Sequence, residues 1–97
     1  MEKGTKVLVR DHRAGVHVGL FDSFDAVAKT VTLNNARKVW YWSGAASVHG
    51  IAANGLNHEE SKIAPLVATV ISTDVVEIVQ CSEKGFDSVL NAPVWEP

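Results

Sequence analysis

A chain of 97 residues has material for one domain, residues 1–97, and not for two. Its 46% apolar and 21% charged residues exclude the disordered and fibrous classes, and so generous an apolar share in so short a chain predicts burial between subunits, hence a homo-oligomer. The net charge of −2 hides an imbalance, with most of the Lys and Arg before Val39 and most of the Asp and Glu after it; that suits a local anion site but not the long basic stripe a DNA or RNA polymer requires.

In chain order, residues 5–10 read as a strand, the segment Asp11-His12-Arg13-Ala14-Gly15 as a turn, and residues 16–20 as the returning strand of a hairpin. The Asp and Ser residues of 21–26 predict a turn and residues 27–33 a third strand. Asn34-Asn35 suits a tight turn through its tolerance of left-handed backbone, and residues 37–42 complete a four-stranded meander. The period then changes: Val48, Ile51 and Ala52 predict a short helix over 45–53, with Ser43 placed to cap it and Gly55-Leu56 to stop it. Residues 57–62 read as a loop. Residues 66–71 and 75–79 form either two strands or one bent strand. Ser82 caps a last short helix over 83–90, which Pro93 follows. The fold class is therefore α+β, a mainly antiparallel sheet of five to six strands with two short helices.

The lone Cys81 offers no intramolecular disulfide and reads as a packed thiol in a cytosolic protein. No apolar leader opens the chain and no apolar run approaches the ~18 residues of a membrane helix. His17, His49 and His58 lack metal-ligand spacing, and Ser43, Ser47, Cys81 and Glu59-Glu60 lie in no catalytic motif, so neither a metal, a cofactor nor an enzymatic activity is expected.

Residues 35–47 carry the densest chemistry. Arg37 and Lys38 can pair with phosphate, Trp40, Tyr41 and Trp42 can stack on a base, and Ser43-Gly44-Ala45 leaves helix N-terminal amides open to an anion. By strand alternation Trp40 and Trp42 share one face and Tyr41 takes the other with Arg37 and Val39. Strand aromatics more often serve a core or interface, and the Ser43 segment reads equally as a plain helix cap. Arg13, in a glycine-ended turn, is a second candidate beside its reading as a solvated hairpin turn.

The segment Asn35-Ala36-Arg37-Lys38-Val39-Trp40-Tyr41-Trp42-Ser43-Gly44-Ala45-Ala46-Ser47 resembles the phage Thoeris anti-defence sponge family, the first type described. Residues 7–19, Val76-Glu77-Ile78 with Cys81-Ser82-Glu83-Lys84, and Pro93-Val94-Trp95 resemble it in the same order. The resemblance implies a phage-encoded protein of the host cytoplasm, a dimer or hexamer that sequesters cyclic ADP-ribose isomers, the glycocyclic form among them, without cleaving them. Some members resemble binders of cyclic di- or trinucleotides. The resemblance places the ligand between protomers at Arg37, Trp40, Trp42, Ser43, Gly44 and Ala45, with Arg13 beside them. This chain looks shorter than such proteins around 57–65. The competing reading is a non-catalytic structural or interaction module whose aromatics form an oligomer interface; a nucleotide-hydrolysing enzyme is a further one.

Overall fold

The computed structural model describes residues 1–97. The elements run β1 (Lys6–Asp11), β2 (Gly15–Asp25), β3 (Thr30–Tyr41), α1 (Val48–Asn54), β4 (Lys62–Ile63), β5 (Val67–Ser72), β6 (Val75–Gln80) and α2 (Glu83–Leu90). This is the α+β class predicted, with a six-stranded antiparallel sheet and two short helices. No helix is long and apolar enough to cross a membrane.

The strands are ordered β4-β3-β2-β1-β6, and β5 also pairs with β3. β3 is long enough to serve both partners, residues 31–36 facing β5 and Val39 and Tyr41 facing β4. Because β5 and β6 lie at opposite ends of the series β5-β3-β2-β1-β6, yet only Thr73-Asp74 separates them, the sheet must curl on itself. Alternation along the strands then feeds two separate cores. Val7, Val9, Phe21, Val31, Leu33, Ala36 and Val75 fill the concave side, while Leu8, Val16, Val18, Val39 and Ile63 meet Ile51, Ala52, Phe86 and Val89 of the helices on the other.

Short polar side chains close the turns and ends. Asp25 Oδ1 accepts from the amides of Val27 and Ala28 at 3.0 and 3.1 Å, turning β2 into β3 with Lys29 at φ 56°. Ser47 caps α1, its Oγ accepting from the Gly50 amide at 3.4 Å, and Gly55 stops it at φ 89°, donating to the Ile51 carbonyl at 2.9 Å. Ser82 caps α2 by accepting from the Gly85 amide at 3.0 Å. Its hydroxyl also donates to the Ala53 carbonyl at 2.7 Å, joining the end of α1 to the start of α2.

Four expectations are corrected. The segments 27–33 and 37–42 are not two strands around an Asn34-Asn35 turn but parts of one strand, β3. Asn35 does take the left-handed conformation, φ 48°, but as a bulge where the β2–β3 register shifts between Val18 and Leu20, and pairing with β2 resumes beyond it. Residues 21–25 continue β2 instead of turning, and the cap of α1 is Ser47, not Ser43. Of the alternatives for the C-terminal apolar runs, two strands, β5 and β6, are present, and Lys62–Ile63 adds the short β4 where a loop was expected.

Candidate functional site

The end of β3 meets two other segments through backbone pairing. β4 runs antiparallel to it with Tyr41 opposite Lys62 and Val39 opposite Ile63, and the Ala64 amide donates to the Lys38 carbonyl at 2.9 Å. The C-terminal tail follows, its Trp95 amide donating to the Ile63 carbonyl at 3.0 Å. Three stretches distant in sequence thus place Trp40, Lys62 and Trp95 side by side. The two indole centroids lie 5.0 Å apart with their planes inclined at 52°. The Lys62 ammonium stands 5.2 Å from the Trp40 ring, 5.7 Å from Tyr41 and 4.8 Å from Trp95, within the reach of cation–π attraction. Between them and Lys38, Ile63, Ala64 and Pro65 opens a hollow of about 250 Å³. Trp40 and Tyr41 are 58% and 56% exposed, too much for core residues.

The site is cationic by composition. No carboxylate lines the hollow, and the ion pairs of the molecule, Lys3–Asp22, Lys6–Glu83, Arg10–Glu77 and His49–Glu77, leave Lys38 and Lys62 without an acid partner. A ring face attracts an ammonium without neutralising it, so Lys62 keeps its charge and donors for an incoming acceptor. Lys38 pairs across the ladder with His17, a buried residue. Burial is the main cause holding the His17 imidazole below its ordinary value, the Lys38 charge adds to it, and Asp11 opposes. The ring therefore stays neutral and does not compete with Lys38 for an anion.

The residues singled out from the sequence are not all gathered here. Of them, Trp40 and Lys38 belong to the hollow. Arg37 is 3% exposed and faces the helices: its Nε donates to the Ala64 carbonyl at 2.8 Å, and its Nη1 to the carbonyls of Val89, Leu90 and Ala92 at 3.0, 3.3 and 2.5 Å. It caps the C-terminal end of α2, whose last carbonyls have no partner within the helix and carry the negative end of its dipole. The phosphate role expected of Arg37 is corrected to this one.

Trp42 does not share a face with Trp40. β3 ends at Tyr41, the register against β4 shifts between Val39 and Tyr41, and Trp42 packs on the helix-side core. Of the segment Ser43, Gly44 and Ala45, expected to hold an anion, the loop of residues 57–61 takes up the polar groups of Ser43, while Gly44 stays exposed. The Ser43 amide donates to Ser61 Oγ at 3.1 Å, its carbonyl accepts from the Asn57 amide at 2.8 Å, and its hydroxyl donates to Glu60 at 3.2 Å. Gly44, at φ 86°, has Asn57 so close that an added Cβ would lie 3.0 Å from it, and Ala45 packs against the helix-side core. Arg13 remains exposed in the β1–β2 turn; its amide, not its guanidinium, is engaged, donating to Asp11 Oδ1 at 2.9 Å.

Lys62 and Trp95 are the site residues that sequence reasoning missed. Lys62 looked like the end of a polar loop, and Trp95 lies beyond the last element; the one available signal was an indole following Pro93 in an otherwise polar tail. The other hollows suit an anion less. One of about 490 Å³, lined by Met1, Phe21, Asp22, Ser23, Phe24 and Ile78, has an acid and no cationic side chain, and another, beside Lys6, contains the Glu83 that already pairs with it. No three His, Cys, Asp or Glu side chains are grouped as metal ligands would be. Cys81 is buried in the helix-side core, and burial pushes its thiol up to about 11.

No curated protein and no solved structure matches the chain. A family model described as a domain of unknown function (DUF6948) matches residues 4–89, which include β1 to β6 and most of α2 but stop short of Trp95, and the chain belongs to that family.

Proposed function

We propose that this protein is a non-catalytic binding module that holds a small anionic, nucleotide-like ligand at the Trp40–Lys62–Trp95 hollow. The observation that carries the reading is the placement of one unpaired ammonium among three aromatic rings beside a second unpaired lysine, Lys38. A base or other flat ring stacks on an exposed indole, which contributes about 1–3 kcal/mol, while Lys62 and Lys38 offer donors to a phosphate. A volume of about 250 Å³ lies just under the usual range for small-molecule sites, so it admits one ring with its attached phosphate and leaves the rest of a larger ligand outside.

The ligand class is a cyclic ADP-ribose isomer, with cyclic di- or trinucleotides as the second choice; that choice rests on the sequence resemblance to the phage sponge family. Capture without cleavage, by a phage protein in its host's cytoplasm, needs affinity and copy number but no acid, base or nucleophile. In calorimetry with the cyclic ADP-ribose isomers and cyclic dinucleotides, the intact chain binds at least one, the ligand is recovered unaltered by mass spectrometry after heat release, and Trp40→Ala abolishes binding. Binding of none of these compounds overturns the ligand class, and equal binding by Trp40→Ala overturns the site.

A further inference from the structure

We propose that β5 is the surface through which two copies of this chain pair, edge to edge and antiparallel about a two-fold axis at Thr69. β5 hydrogen-bonds to β3 on one side only, in a regular register from Val31 opposite Ser72 to Ala36 opposite Val67. None of the turn, loop and cap backbone bonds involves residues 67–72, so the outer edge presents unpaired amides and carbonyls, which a further strand satisfies.

Natural edge strands are blunted by charges, bulges or an interior proline. β5 has none of these: from Ile63 to Thr73 there is no charged residue, Pro65 lies outside the strand, and its register carries no shift. The flanking side chains stay apolar and in solvent, with Leu66 54%, Val67 45% and Ile71 62% exposed.

The occupant is chosen by the order of the residues. In an antiparallel pair centred on Thr69, Val67 meets Ile71 of the second copy, Ala68 meets Val70, and Thr69 meets itself. Each is a favourable cross-strand pair of β-branched or small residues, and no charge meets a like charge. A symmetric contact of this kind requires one patch to be complementary to itself, and this uncharged segment is. The proposal does not depend on ligand capture.

Sedimentation of the full chain at micromolar concentrations, without ligand, gives a dimer. Thr69→Lys puts two ammonium groups face to face and gives a monomer with unchanged far-UV dichroism, while Thr69→Val stays dimeric. Thr69→Cys forms a covalent dimer on mild oxidation and Ala68→Cys does not, since Ala68 faces Val70; the buried Cys81 gives no background. A monomeric wild-type chain overturns the proposal, as does a dimer that survives Thr69→Lys or one that Ala68→Cys cross-links as readily as Thr69→Cys.

Discussion

Asp11 in the β1–β2 turn and Ser72 at the end of β5 are hydrogen-bonded side chain to side chain across 61 positions of sequence. The same carboxylate accepts from the amides of Arg13, Ala14 and Asp74 at 2.9, 2.9 and 3.0 Å, so one residue ties the first hairpin to the link between β5 and β6. Burial alone raises a carboxyl pKa; here the Ser72 hydroxyl and the three amides outweigh it and hold Asp11 well below the usual carboxylate range.

A carboxyl depressed on folding stabilises above its unfolded value, near 3.8, and that stability is lost as pH falls below it. Asp11→Asn keeps the shape but loses the charge and acceptors for two of the four donors, and costs about 2–3 kcal/mol at neutral pH. Urea titrations at pH 7 and pH 3 show the gap between variant and wild type narrowing with acid.

His17 acts in a different pH window. Its folded value lies below the ordinary 6.5, chiefly through burial, so between those values the unfolded chain takes up a proton that the folded chain refuses. Stability therefore falls as pH drops from about 6.5, before Asp11 begins to titrate. His17→Gln removes this slope: its urea midpoint changes less than that of the wild type between pH 7 and pH 5.

Gly85 in α2 is where the two helices touch. A Cβ there would strike the Ala52 carbonyl and lie 2.6 Å from that of Ile51. Alanine improves helix propensity by about 1 kcal/mol, but a backbone carbonyl cannot rotate aside as a side chain would. The clash wins: Gly85→Ala destabilises by about 2 kcal/mol net, a fall in Tm of about 10 °C for a domain this size, read by calorimetry.

The legible features were those governed by neighbours in sequence. Alternation gave β1, the 3.6 period with Ser82 and Gly55 gave helix positions, and the β-branched runs gave β5 and β6. Asn34-Asn35 misled because the same left-handed tolerance serves a turn and a bulge, and only pairing with β2 on both sides decides between them. Arg37 misled for a related reason. A cationic strand residue before aromatics fits a phosphate, but of the carbonyls it serves one lies 27 positions away and three lie 52 to 55 positions away, at and just beyond the end of α2, which local pattern does not link to it. Trp95 and Lys62 were invisible as a pair because β4 is two residues long and the tail is placed by a single backbone bond.

That division between Arg37 and Lys62 separates stability from capture. Arg37→Met leaves the carbonyls of Ala64, Leu90 and Ala92 without the guanidinium donor, while that of Val89 keeps the Ala92 amide, and costs about 2–3 kcal/mol of stability, the range for stripping charged hydrogen bonds from buried acceptors. Its folded fraction, with the hollow's rings and lysines intact, still binds as the wild type does. Lys62→Met keeps the aliphatic stem against the indoles but removes the charge, so Tm moves little, since an exposed cation–π contact contributes only about 0.5–1 kcal/mol. Affinity for a phosphate-bearing ligand falls about tenfold or more, the loss of one charged hydrogen bond. Thermal melts with and without ligand resolve the two effects: Arg37→Met lowers both curves together, whereas Lys62→Met shrinks the shift that ligand produces. If Arg37→Met instead abolishes the ligand shift in chain that is still folded, the anion site includes Arg37 after all and its place at the end of α2 is secondary.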